Sequence, residues 1–170
     1  MKELFLSFSL LSLLSWPAPG APAQEATALV ARIEKALADK EPRWRIVPRS
    51  PQAVSHTIHL KSGNSHALIT VFVFDSAKSA GEAFEGNTIA FGNTAGRRGR
   101  KTSLPKFADE NLMWTGFSAG ATTSIHFRQG EVYVNLTAPS QATAKRFARH
   151  ALEQVVEYQK APAGGREGRR

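Results

Sequence analysis

The strongest constraint in this chain is a two-residue alternation that runs from Leu112 to Leu136. Successive side chains on an extended strand point to opposite faces, so a period of two marks a strand with one buried side. Three such runs follow one another: Leu112 to Ser118, Thr122 to Arg128 and Val132 to Thr137. Ala119-Gly120 and Gln129-Gly130 sit between them, where tight turns are needed. The pattern predicts a three-stranded antiparallel meander. A turn at Gln129-Gly130 pairs Phe127 with Val132 and Ile125 with Val134, and puts Phe127, Ile125, Val132, Val134 and Leu136 on the core face. A turn at Ala119-Gly120 adds Leu112 and Trp114 to that face. The outer face then carries Met113, His126 and Tyr133 in one row, with Thr115, Ser124 and Asn135 in the next. Such a surface is less charged than a plain solvent face. It is read either as a ligand-binding surface built on Met113, His126, Tyr133 and Asn135, or as a face covered by the first helix or by the segment 92–110.

The remaining elements follow from the same periodicities. Residues 25–40 predict a helix, with Ala26, Leu29, Val30, Ile33 and Leu37 on one stripe and Pro42 ending it. Residues 44–47 form a short edge strand at best, because Pro48 and Pro51 follow. Val54 to Lys61 alternates, with Ile58 and Leu60 on one side, and Ala67 to Phe74 is a second strong strand beyond a turn at 62–65. Asp75 or Ser76 caps a helix whose inner stripe is Ala80, Ala83 and Phe84. Residues 92–110 read as an irregular glycine-arginine loop. Ser140 caps a last helix that buries Phe147, Ala148, Ala151, Leu152, Val155 and Tyr158 and runs to Lys160. The fold expected is therefore α+β: an antiparallel sheet of five to six strands with helices mainly on one face.

Ile58-His59-Leu60-Lys61-Ser62-Gly63 parallels Ile125-His126-Phe127-Arg128-Gln129-Gly130 at an offset of 67 residues, and a helix follows each copy. That self-similarity is read as a duplicated strand-turn-strand-helix unit, set against chance likeness between two amphipathic hairpins.

The chain has 170 residues and no cysteine. Disulfides, thiolate metal sites and cysteine nucleophiles are thereby excluded. Leu4 to Leu14 is apolar apart from interleaved serines, and Ala21-Pro22-Ala23 offers small residues to a signal peptidase. This predicts a signal peptide over 1–23, a single domain over 24–160 and a disordered basic tail over 161–170, in a periplasmic or secreted product without a membrane span in the mature chain.

Half of the net charge of +8 sits in Arg97, Arg98, Arg100 and Lys101. Such a cluster attracts an anionic envelope polymer or lipid headgroup. It lacks the interleaved aromatics that stack bases, so nucleic acid is not an expected partner. His59, His66 and His126 fall on one predicted sheet face and form a candidate metal set, although no carboxylate neighbours them in sequence to orient the rings. Asp109-Glu110 is read as a solvated acidic pair. No cofactor motif is present, and no catalytic residue nominates itself.

From Phe107 to Val155 the chain resembles a loose pattern in exported bacterial α+β domains, carried by Ala108-Asp109-Glu110, Phe127-Arg128-x-Gly130, a valine-rich strand and an alanine-rich helix. The resemblance implies an exported α+β module and no particular activity. The functional expectation is a soluble binding or interaction module with an envelope or extracellular partner. The alternatives are electrostatic docking through the basic loop, and a metal protein or hydrolase using the strand histidines.

Overall fold

Leu29, Val30, Ile33 and Leu37 recur on one side of α1 (Ala21–Lys40), and all four are fully buried against the sheet. The computed structural model that shows this describes residues 21–48, 56–95, 99–117 and 122–161. The expected signal segment lies outside the described residues except for positions 21–23, which form the start of α1, and the tail from 162 onward lies outside them too.

Six further elements carry most of the sheet and its cover: β2 (Thr57–Ser62), β3 (Ser65–Val73), α2 (Ala77–Ala95), β6 (Thr123–Gln129), β7 (Val132–Ala138) and α3 (Gln141–Lys160). Three edge-side strands complete the sheet: β1 (Arg45–Ile46), β4 (Arg100–Thr102) and β5 (Glu110–Thr115). The sheet is antiparallel, in the order β1-β2-β3-β7-β6-β5-β4. It therefore has seven strands, not five to six. The strand missed is β4, whose Arg-Lys-Thr sequence has no apolar alternation and is exposed throughout. It exists because its backbone pairs with β5, a long-range cause that a local period cannot register. For the same reason residues 92–110 are not one irregular loop: α2 continues to Ala95 and β4 follows at Arg100.

Two faces result. α1 and α3 cover one of them, and their stripes merge with Ile58, Leu60, Ile69, Val71, Ile125, Phe127, Val132, Val134 and Leu136 into the main core. Lys40 pairs with Glu153 at 2.6 Å and Arg146 with Glu41 at 2.9 Å, fastening the end of α1 to α3. Trp44 meets Phe147 edge-on at 5.2 Å. α2 lies on the opposite face, over β6 and β7, where Phe84 meets Tyr133 and Phe91 meets His126. Two helices thus share a face and the third does not.

The hairpins β2–β3 and β6–β7 have matching registers. Ser62 pairs with Ser65 and Ile58 with Ile69; 67 residues on, Gln129 pairs with Val132 and Ile125 with Leu136. Gly63 and Gly130 occupy equivalent turn positions at φ 57° and 54°, a left-handed backbone that glycine adopts without strain. Where β3 meets β7, Ile69 lies opposite Leu136, its own counterpart at that offset. The helices that follow depart from this symmetry, since α3 packs on the core face and α2 on the other.

Two registers differ from expectation. The β6–β7 turn falls at Gly130-Glu131, so Phe127 pairs with Val134. That slip of two preserves every face. The β5–β6 connection has a larger effect. The expected turn at Ala119-Gly120 lies outside the described residues, but Thr115 pairs with Thr123, where that turn would set it opposite Ser124. The parity inverts: Met113 pairs with Ile125 and enters the main core, while Leu112 and Trp114 move to the α2 side.

Candidate functional site

The face under α2 is built from rings. On α2, Phe84, Thr88 and Phe91 follow helical spacing and point toward the sheet. Beneath them lie Tyr133 on β7, His126 on β6 and Trp114 on β5. Phe91 contacts Trp114, Phe117 and His126 with centroids 5.0–5.1 Å apart. Phe72 stacks on Tyr133 at 5.5 Å. His126 Nδ1 is 2.7 Å from the Tyr133 hydroxyl, while His126 Nε2 is buried without a hydrogen-bond partner. Burial pushes the His126 pKa down from 6.5 to about 4, so the imidazole is neutral at neutral pH. Burial also raises the Tyr133 phenol, which stays protonated. The tautomer that leaves fewest groups unpaired has Tyr133 donating to Nδ1 and the ring proton on Nε2, among aromatic neighbours that accept it weakly.

The four residues expected to form one ligand surface are therefore divided. Met113 is in the main core at 4% exposure. His126 and Tyr133 are together but sealed under α2. Asn135 is half-buried beside them, opposite His126 on one side and Thr70 on the other.

A groove of about 640 Å³ opens between α2 and the β4–β5 end of the sheet. Phe84, Thr88 and Leu112 are the less exposed groups lining it, and Ile89, 57% exposed, is the most solvent-open large apolar side chain there. Lys78, Lys101 and Arg128 line it with Glu82, Glu85 and Glu110, so the two signs of charge balance. Lys101 lies 5.9 Å from the centre of the Trp114 ring. Arg128 holds one end in place. Its Nε donates to Glu110, and its guanidinium reaches Asp109 at 3.3 Å and the Gly130 carbonyl at 3.0 Å. Asp109 in turn accepts from the Gly130 backbone N–H at 2.8 Å and from Gln129 at 3.0 Å. The acidic pair is exposed and leads into β5, as expected, and it also braces the β6–β7 turn. At Gly81, α2 passes over the Arg128–Glu110 pair, where an added Cβ would come into van der Waals contact with both side chains.

Of the basic loop, Arg97 and Arg98 lie outside the described residues; Arg100 and Lys101 are exposed on the edge strand β4. His59 Nε2 lies 3.0 Å from His66 Nδ1 on the uncovered half of the outer face, beside Leu68 at 46% exposure. His126 is three strands from His59 in the sheet order, about 14 Å at ordinary strand spacing. The three imidazoles share a face without converging, and among the described residues no cluster of three His, Asp or Glu side chains is placed to hold a metal ion.

Sequence reasoning missed Thr88, Ile89 and Phe91, because Gly86 interrupts the helical stripe that leads to them. A continued count of four and seven from Phe84 reaches Thr88 and Phe91 and would have found this face. No helix among the described residues is long and apolar enough to cross a membrane. In comparisons with known proteins, no family model, curated protein or solved structure matches the chain.

Proposed function

We propose that the chain is an exported binding module and that the groove beside α2 is its recognition site. One observation carries this reading: an exposed Ile89 stands in a groove of about 640 Å³ lined by Phe84 and Leu112 and by charges of both signs. That volume is within the range of small-ligand sites. Apolar groups in its lining take an aliphatic or aromatic side chain, and Lys78, Lys101, Glu82 and Glu85 offer partners for a ligand that carries both charges. A peptide segment has this chemistry, and we assign the groove to peptide-like ligands. The apolar stretch at residues 4–14 supports export.

Selection from a displayed peptide library, followed by fluorescence-polarisation titration, tests the assignment. Enriched peptides should share an apolar anchor flanked by charge, and Ile89→Asp should weaken them by about tenfold or more, the scale of one lost apolar anchor. Because Ile89 is exposed, that substitution should leave the fold intact. Equal binding to the Ile89→Asp protein, or no enrichment, would overturn the reading.

A further inference from the structure

At the far end of the sheet from the groove, Arg45 on β1 lies directly opposite Lys61 on β2, and Lys61 lies directly opposite His66 on β3. Directly opposed residues in an antiparallel pair carry their side chains on the same face, with Cβ atoms about 5 Å apart. Two cations so placed repel each other and weaken the pair that holds them. Arg43 joins them: Arg43, Arg45, Lys61, Ser62 and Gly63 line one concavity of about 500 Å³, and among the described residues its lining contains no carboxylate. Arg43, Arg45 and Lys61 are exposed, and none forms an ion pair among the described residues. The outer half-face that continues from this corner is also free of acid: it presents His59, His66, Leu68 and Thr70.

We propose that this β1–β2 corner is an oxyanion site that takes a phosphate group through Arg43, Arg45 and Lys61. A phosphate oxygen placed between Arg45 and Lys61 turns their repulsion into two charge-assisted hydrogen bonds. The guanidinium forks of Arg43 and Arg45 match the geometry of a tetrahedral anion better than ammonium groups do. Backbone pairing makes the site: Val47 N–H bonds the His59 carbonyl at 2.8 Å, continuing the β1–β2 ladder and keeping Arg45 across from Lys61. The phosphate has two possible sources, a free ion or the phosphodiester of a lipid headgroup, and both present the same oxygens. The inference is independent of the peptide groove, which lies at the opposite end of the sheet.

Calorimetric titration with inorganic phosphate, and sedimentation with phosphatidylglycerol or phosphatidylcholine vesicles, tests it on the intact chain. Saturable phosphate binding is expected, weakening between about 20 and 200 mM salt as the charges are screened. Arg45→Gln with Lys61→Gln should reduce affinity by about tenfold or more, the scale of losing charged hydrogen bonds. Without anion, the same variant should melt no lower than wild type, because the opposed charges are gone; a residue pair that merely held the fold would show the reverse. Binding to phosphatidylglycerol but not to free phosphate assigns the headgroup as source, and phosphate binding without vesicle binding assigns the free ion. Absence of saturable binding in every arm at low salt, or equal affinity in the double variant, overturns the site.

Discussion

His126 Nδ1 lies 2.7 Å from the Tyr133 hydroxyl, and the two side chains are 1% and 0% exposed beneath α2. Burial sets the electrostatics of this pair. The His126 pKa in the folded chain falls from 6.5 to about 4, so on lowering pH the unfolded chain takes up the proton first. The contribution to stability is whole above about 6.5 and is lost as pH falls toward about 4, at a full cost of roughly 3 kcal/mol. Urea unfolding midpoints measured from pH 7.5 to 4.5 check this. The fall for wild type should exceed that of a His126→Phe, Tyr133→Phe double variant, which carries the same surface carboxylates. Parallel curves for the two proteins would remove the assignment.

The same pair predicts a coupling. Tyr133→Phe leaves His126 with both ring nitrogens unpartnered in a buried site, since Nε2 already lacks a partner. A buried polar group left unsatisfied costs about 1–3 kcal/mol, whereas replacing both members by apolar rings of similar size is closer to neutral. The double variant should therefore be less destabilised than the sum of the two single changes, by about 1 kcal/mol or more. Additive losses in chemical denaturation would show that the bond contributes nothing.

Much of the fold was legible because its signals are local. The stripe Leu29, Val30, Ile33 and Leu37, the Ser140 cap that accepts from the Thr143 N–H, and the alternation of β6 and β7 each lie within a few residues. The inner members Ile125, Phe127, Val132, Val134 and Leu136 are buried together as the alternation requires. What was not legible depends on distant partners or on loop parity. Met113 and Trp114 exchanged faces because Thr115 pairs with Thr123 and not with Ser124, a shift of one residue. β4 carries no pattern of its own and follows β5. The like-charged row of Arg45 and Lys61 is invisible without the β1–β2 register, since the two are far apart in sequence. Recognition surfaces here are products of pairing, and a one-residue uncertainty in pairing moves each candidate to the wrong face.

Gly63 and Gly130 share a left-handed backbone and differ in their surroundings, which allows the two costs to be separated. A Cβ at Gly63 would meet nothing within 4 Å. A Cβ at Gly130 would collide with the amide of Gln159, which donates to the Gln129 carbonyl at 2.7 Å and ties α3 to the β6–β7 turn. Gly63→Ala should cost about 1 kcal/mol, the backbone term alone. Gly130→Ala should cost that and about 1 kcal/mol more for the lost Gln159 bond. In a Gln159→Ala background the two glycine substitutions should cost the same. A difference that survives there would mean the turn, not Gln159, sets the gap.

Gly86 bears on the groove most directly, because it interrupts the helix that lines it. α2 contains Gly81, Gly86 and Gly92, and at Gly86 and Gly92 an added Cβ would meet nothing within 4 Å. Each of these two helical glycines costs about 0.5–1 kcal/mol relative to alanine, through the freedom it gives the unfolded chain. Gly86→Ala and Gly92→Ala should therefore stabilise the protein, singly by that amount and nearly additively, without touching Phe84 or Ile89. Amide hydrogen exchange should locate the gain: α2 packs on the outer face alone, so its amides should exchange faster than those of α1 and α3 in wild type and slow selectively in the variants. If peptide entry requires α2 to yield, the stiffened protein should also bind peptides with a slower on-rate. Uniform slowing of exchange across all three helices would show instead that α2 opens only when the whole domain unfolds.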